Sequence, residues 1–212
     1  DVMFPFVREQ LRRYLLEQWN SVSLNACLEL LAIDLGQADR QAWLGALSES
    51  LPASSRTDQQ EQVHRAVIQL MDADAKVTGL KQLQGLIWES GFKSGHLVGH
   101  LFEDVGPSIK AWAAQGIDVR IYSSGSIAAQ NLFFGYSVAG NLLPCIRGHY
   151  DTTVGGKQSS DSYQKIATEF GFLPKQILFI SDVAAELSAA KTAGMQTLLS
   201  LRPGNKPVQP EH

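Results

Sequence analysis

Along the first third of the chain, apolar residues recur at intervals of three and four. Phe4, Val7, Leu11, Tyr14 and Leu15 form one stripe, with Arg8, Arg12 and Arg13 away from it, which predicts an amphipathic helix. Pro5 suits the first turn of that helix, where no intrahelical N–H is needed. A second helix is predicted over about Ser23–Ile33, stopping near Gly36. The polar stretch Ser48–Gln62 predicts a loop, within which Thr57 and Gln60 are spaced as a capping box opening a third helix with Val63, Val67 and Leu70. No strand pattern occurs before about residue 95.

Beyond Gly99 the period changes. Short β-rich runs at Val119–Tyr122, His149–Asp151, Ile177–Ile180 and Thr197–Leu201 alternate with helical stretches. These stretches run to about Phe134, from about Ser160 to Phe170 with Gly171 closing it, and to Gly194. Strands alternating with helices predict a parallel sheet. Ile177–Ile180 reads as a compact buried run. Ligands of such sheets sit at the carboxyl ends of the strands, a rule that singles out Ser123, Ser124, Asp151, Lys157, Ser181 and Asp182.

Composition narrows the setting. Hydrophobic residues at 44% and charged ones at 18% provide for a real core. With 18 Lys plus Arg against 21 Asp plus Glu there is no basic excess for a nucleic-acid backbone. Cys27 and Cys145 stand far apart without a CxxC pairing, which fits a reducing cytoplasm, and no apolar run reaches the ~18 residues of a membrane helix.

Several segments have chemistry available to them. In Tyr122-Ser-Ser-Gly-Ser126, small residues precede a helix, where unpaired N–H groups and serine hydroxyls suit an anion; taken alone, the segment reads first as a plain helix cap at Ser124 or Ser126. Val154-Gly-Gly-Lys157 is a turn with one cation, either solvated or placed to neutralise phosphate. Asp182 and Glu186, four apart, either ligate a hard divalent cation or cap and complement a helix start. His96 and His100 share that spacing, but the glycines around them disfavour a converging helix. Asp72 and Asp74 read as a solvated helix end.

Five segments taken together resemble the haloacid-dehalogenase superfamily, and within it the enolase-phosphatases of methionine salvage. They are Leu83–Gly91 (LQGLIWESG), Tyr122–Gly135 (YSSGSIAAQNLFFG), Tyr150–Lys157 (YDTTVGGK), Ile177–Glu186 (ILFISDVAAE) and Leu201–Asn205 (LRPGN), and the opening DVMFPFVREQL is similar as well. The resemblance implies an α/β fold, a Rossmann-like parallel-sheet core at 99–212 beside an all-helical cap at 1–98. It implies a magnesium-dependent conversion of 2,3-diketo-5-methylthiopentyl-1-phosphate to the acireductone and phosphate. Ser123 and Ser124 would contact the phosphate, Lys157 would be the charge-balancing catalytic lysine, Asp182 would bind Mg2+, and Glu186 would support Asp182 or its water shell. Trp88 would either pack or touch substrate. The expected partner is a small phosphorylated substrate, with no nucleic acid, no membrane and a monomeric chain.

One departure accompanies the resemblance. The superfamily's first motif, a strand ending in Asp-x-Asp or Asp-x-Glu and then Gly-Thr, is expected shortly before Asp1. The nucleophile, and a strand between those at Val119–Tyr122 and Ile177–Ile180, are therefore expected to lie outside these 212 residues. The chain as written is then expected to hydrolyse no ester and to fold poorly alone. A phosphometabolite-binding module, or a related phosphatase with another substrate, are the competing expectations.

Overall fold

The computed structural model describes residues 3–50 and 55–205. The chain forms two compact units. One takes the chain up to Leu101 and returns for Leu132–Gly140; the other holds Phe102–Asn131 and the chain from Asn141 onward.

Five helices build the first unit: α1 (Met3–Gln18), α2 (Val22–Asp34), α3 (Arg40–Ser50), α4 (Arg56–Asp72) and α5 (Thr78–Lys93). The stripe read in α1 is buried at Val7, Leu11 and Leu15, while Phe4 lies half-exposed and edge-on to Trp88. Trp88 is itself buried and its indole N–H donates to Met3 O at 2.8 Å, so its role is packing. Ser21 caps α2 through its Oγ, which accepts from Leu24 N. The predicted Ser48–Gln62 loop is largely helical: α3 continues to Ser50 and α4 begins at Arg56, with 51–54 outside the described residues. The capping box is formed by Ser55 and Asp58, not Thr57 and Gln60. Gln60 is instead buried and donates to Leu15 O at 3.2 Å. Asp72 and Asp74 are solvent-facing, paired with Arg8 and Lys76.

Gly79 marks a close approach between two helices of this unit. A Cβ there would stand 2.5 Å from Leu31 Cα, so only glycine lets α5 lie this close to α2. Gly79 N donates to Asp34 Oδ2 at 2.6 Å, and its carbonyl accepts from Cys27 Sγ at 3.3 Å. Burial pushes the Cys27 thiol up to about 12.

The second unit carries α6 (Val105–Ala114), β1 (Arg120–Tyr122), the start of α7 (Ile127–Gly135), β2 (Gly148–Tyr150), α8 (Ser160–Phe170), β3 (Leu178–Ser181), α9 (Ala184–Thr192) and β4 (Gln196–Leu199). All four strand runs read from the sequence are present, and Gly171 closes α8 with a left-handed φ of 74°. The strands pair in parallel as β1–β2, with Ile121 opposite His149, and as β3–β4, with Ile180 opposite Leu198. Among the described residues β1 and β3 share no ladder, and each is paired along one edge. Tyr163 and Ile166 of α8, with Ala189 and Ala190 of α9, form the core against which Tyr122 and Phe179 pack. Ile177–Ile180 is not uniformly buried. Leu178 and Ile180 face outward, 51% and 39% exposed, beside Leu198 at 52%. The α8–α9 layer covers only the opposite face of these strands, whereas parallel sheets ordinarily bury both.

Gly79→Ala is expected to destabilise the first unit by roughly 1–3 kcal/mol, because the obstructing atoms are backbone and cannot swing aside. The measurement is denaturant unfolding followed by labelling of Cys27, which should stay unreactive at pH 8 until α2 and α5 separate. Labelling of the native protein would show that this packing is looser than the structure has it.

Candidate active site

The carboxyl ends of β1, β2 and β3 bear the residues singled out above. After β1, Ser123 N donates to Tyr150 O at 3.0 Å, extending the β1–β2 ladder by one bond. Ser123 Oγ accepts from Gly125 N at 3.1 Å, and Ser126 Oγ accepts from Ala129 N at 3.2 Å. Ser126 is therefore the cap of α7. Asp151 assists it, accepting from Ile127 N at 3.4 Å. Ser124 is exposed, and its hydroxyl has no protein partner among the described residues.

Gln130 holds this loop in place and was not singled out by the sequence. Buried in α7, it donates to Gly125 O at 2.8 Å and to Tyr150 O at 2.9 Å, and its Oε1 lies 3.0 Å from His149 Nδ1. The signal available was a glutamine on the otherwise apolar inner face of a helix. Burial lowers the His149 pKa, favouring the neutral ring. Asp151 accepts from Thr153 Oγ1 at 2.6 Å and from Thr153 N at 3.0 Å. These bonds hold its pKa below the usual carboxylate value.

After β2 the turn through Gly155 and Gly156 presents Lys157. Its ammonium lies 2.8 Å from Glu186 Oε1 and 2.9 Å from Oε2. Ser181 at the end of β3 donates to Glu186 Oε2 at 2.8 Å. Lys157, Ser181 and Glu186 thus meet in one cluster, although β2 and β3 belong to different strand pairs. Glu186 is 6% exposed, so it is no solvated helix-start residue; it anchors the lysine. Lys157 has three N–H donors, and the two Glu186 oxygens leave one for a further acceptor.

Asp182 does not cap α9. Val183 is the N-cap residue, and its N–H donates to Ser181 Oγ at 3.1 Å. The Asp182 carboxylate is exposed at the strand end with no protein hydrogen bond among the described residues. A single uncommitted carboxylate at this strand edge fits a hard cation such as magnesium, which takes one or two carboxylates and keeps water or phosphate oxygens in its other positions. Among the described residues no group of three His, Cys, Asp or Glu side chains stands ready to hold a metal unaided. His96 and His100 line a shallow cavity in the first unit with Phe6 and Glu9, and His96 Nδ1 lies 2.8 Å from Ser94 Oγ.

Gly155 is required for this geometry. Its φ is 141°, and a Cβ would stand 2.2 Å from Ser162 Oγ. Gly155→Ala is expected to shift the Lys157 turn and to lower stability by about 1–3 kcal/mol, through strain at a φ that L residues avoid. Thermal melting and the exchange rates of the amides of residues 153–158 measure it, and an unchanged melt with unchanged protection would contradict it.

Comparison with known proteins identifies the family. The profile of the haloacid dehalogenase-like hydrolases matches residues 15–194. Proteins named enolase-phosphatase E1 align along the whole chain. That of Drosophila mojavensis is 42% identical, covering 100% of this chain and 82% of its own length. That of Synechococcus elongatus is 45% identical, covering 98% and 84%. The crystal structure of the UTR4 protein of Saccharomyces cerevisiae superposes with a TM-score of 0.71 at 28% identity, over 99% of this chain and 85% of that one. With a parallel α/β unit, a lysine and acid cluster at its strand ends, and relatives of this similarity along its full length, the chain belongs to the haloacid dehalogenase-like hydrolases and, among them, to the enolase-phosphatase E1 family.

Proposed function

We propose that the protein is a magnesium-dependent enolase-phosphatase of methionine salvage, converting 2,3-diketo-5-methylthiopentyl-1-phosphate to 1,2-dihydroxy-3-keto-5-methylthiopentene and phosphate. The observation that carries this reading is Lys157, gripped by both oxygens of Glu186 at the end of β3 with one donor to spare. In this reading Lys157 takes a phosphate oxygen, and Glu186 and Ser181 keep it aimed. Ser123 N is committed to β2, so the hydroxyls of Ser123 and Ser124 and the loop's remaining donors meet the phosphate. Asp182 would hold magnesium, which supplies charge neutralisation for the phosphoryl oxygens. The two cysteines, both free thiols, support a cytoplasmic setting.

A second reading, a phosphate-binding module without turnover, is favoured by the carboxylates at this edge. Asp151 is engaged by Thr153, Glu186 by Lys157, and Asp182 is assigned to the metal. None is assigned as nucleophile, and in this reading the protein binds phosphate without cleaving an ester.

Calorimetric titration with inorganic phosphate, with and without magnesium, tests both readings alongside a phosphate-release assay. A hydrogen bond to a charged group contributes about 1.5–3 kcal/mol, so Lys157→Ala should weaken phosphate binding roughly 10- to 100-fold. Equal affinity in that variant would reduce the lysine to a structural ion pair. Asp182→Asn should bind phosphate equally with and without magnesium while melting as the parent does; a persisting magnesium effect would move the metal elsewhere. Magnesium-dependent ester cleavage by the 212 residues would sink the second reading and place a nucleophile among them.

A further inference from the structure

Three consecutive carbonyls of the turn that carries Lys157 are each held by a side-chain hydroxyl. Tyr122, the last residue of β1, donates to Gly155 O at 2.8 Å. Ser162, in the first turn of α8, donates to Gly156 O at 2.8 Å, and its neighbour Tyr163 donates to Lys157 O at 2.5 Å. Ser162 and Tyr163 are 2% and 1% exposed, and the two phenol rings meet edge to face with centroids 5.6 Å apart. Gly156 O also accepts from Ser159 N at 3.1 Å, while the Gly155 and Lys157 carbonyls have no backbone donor among the described residues, so the hydroxyls do the work that a strand would otherwise do.

We propose that Tyr122, Ser162 and Tyr163 form a hydroxyl clamp that positions the Lys157 ammonium for phosphate. They are positioning residues that act through the lysine backbone and touch no substrate. The proposal rests on the reading that Lys157 binds phosphate. Its physical content lies in the lysine side chain, a flexible four-carbon stem that places its charge poorly unless both ends are fixed. Glu186 fixes the ammonium, and the clamp fixes the backbone from which the stem starts. Burial raises the pKa of both phenols, with the Glu186 charge acting in the same direction, so both remain O–H donors through the neutral range. The clamp also accounts for Gly155: Ser162 Oγ occupies the space a side chain there would need.

The test is a double-mutant cycle on the 212-residue chain, with inorganic phosphate in the presence of magnesium as probe. Tyr163→Phe, Ser162→Ala and Tyr122→Phe each remove one oxygen atom, alone and in the Lys157→Ala background. Each single variant is expected to raise the phosphate Kd by about fivefold, within the coupling range of groups in contact, and to leave the Lys157→Ala protein's Kd unchanged. If Tyr163→Phe does not fold, Ser162→Ala carries the comparison. If Lys157→Ala binds too weakly to measure, the 13Cε resonance of Lys157 decides: it should move toward the position of the exposed lysines in each hydroxyl variant. Lower melting temperatures with an unmoved Kd, an equal loss in both backgrounds, or an unmoved Lys157 resonance would overturn the clamp and leave the hydroxyls as ordinary buried donors. Failure of the function reading looks different: the parent then binds no phosphate, or binds it equally with Lys157→Ala, whatever the hydroxyl variants do.

Discussion

The second unit depends on how two parallel strand pairs that share no backbone ladder are kept in one arrangement. Backbone hydrogen bonds end at the outer residues of β1–β2 and β3–β4. What joins the pairs is side chain. Tyr163 packs edge-on to both Tyr122 of β1 and Phe179 of β3, with centroids 5.6 and 4.9 Å away. At the strand ends Lys157 reaches from the turn after β2 to Glu186 beyond β3. Largely buried ion pairs add little net stability once desolvation is counted. The value of this one is geometric, because it ties the ends of two separate strand pairs to one another.

The same shortage of ladder partners shapes the loops at this edge. Gln130 donates to Gly125 O and adds a second bond to Tyr150 O beside that of Ser123 N, and three hydroxyls donate to the carbonyls of 155–157, of which Gly156 O also accepts from Ser159 N. A carbonyl kept from water without a donor costs about 1–3 kcal/mol, which gives Gln130, Tyr122 and Tyr163 a reason to be polar here. The residues that organise the candidate site are thus mostly ones that support a carbonyl, while Ser124 and Asp182 remain uncommitted and available to a ligand.

The helical unit reaches its order by other means. Its stripes bury aliphatic residues, and α5 meets α2 at a steric contact, Gly79 against the backbone of Leu31. The cysteine and aspartate beside that contact satisfy the glycine's carbonyl and amide, so neither group is left unpaired there. Packing of this kind needs no ligand or metal to complete it.

Period and punctuation in the sequence by themselves determined much of this. The helical stripe of α1, the limits of α2 near Gly36, the four β-rich runs, and the Gly171 stop after α8 are local properties, written in apolar spacing and in residues that tolerate a left-handed backbone. The grouping of Ser123, Lys157 and Asp182 at strand ends was legible too, since parallel topology alone sends those loops to one edge. Helices α3, α5 and α6 were not assigned, and the cap of α4 was placed two residues late, because short polar stretches support several cap registers equally well. Only the tertiary structure decided which candidate did what. It assigned Ser126 and Asp151 to capping and gave Glu186 to Lys157 in place of a bare helix start. It left Asp182 free and set Gln130, Ser162 and the two tyrosines against carbonyls. Those of Asp151, Glu186, Gln130 and Tyr122 depend on groups that meet across 20 to 33 residues of chain, and a partner at that distance leaves no mark in local periodicity.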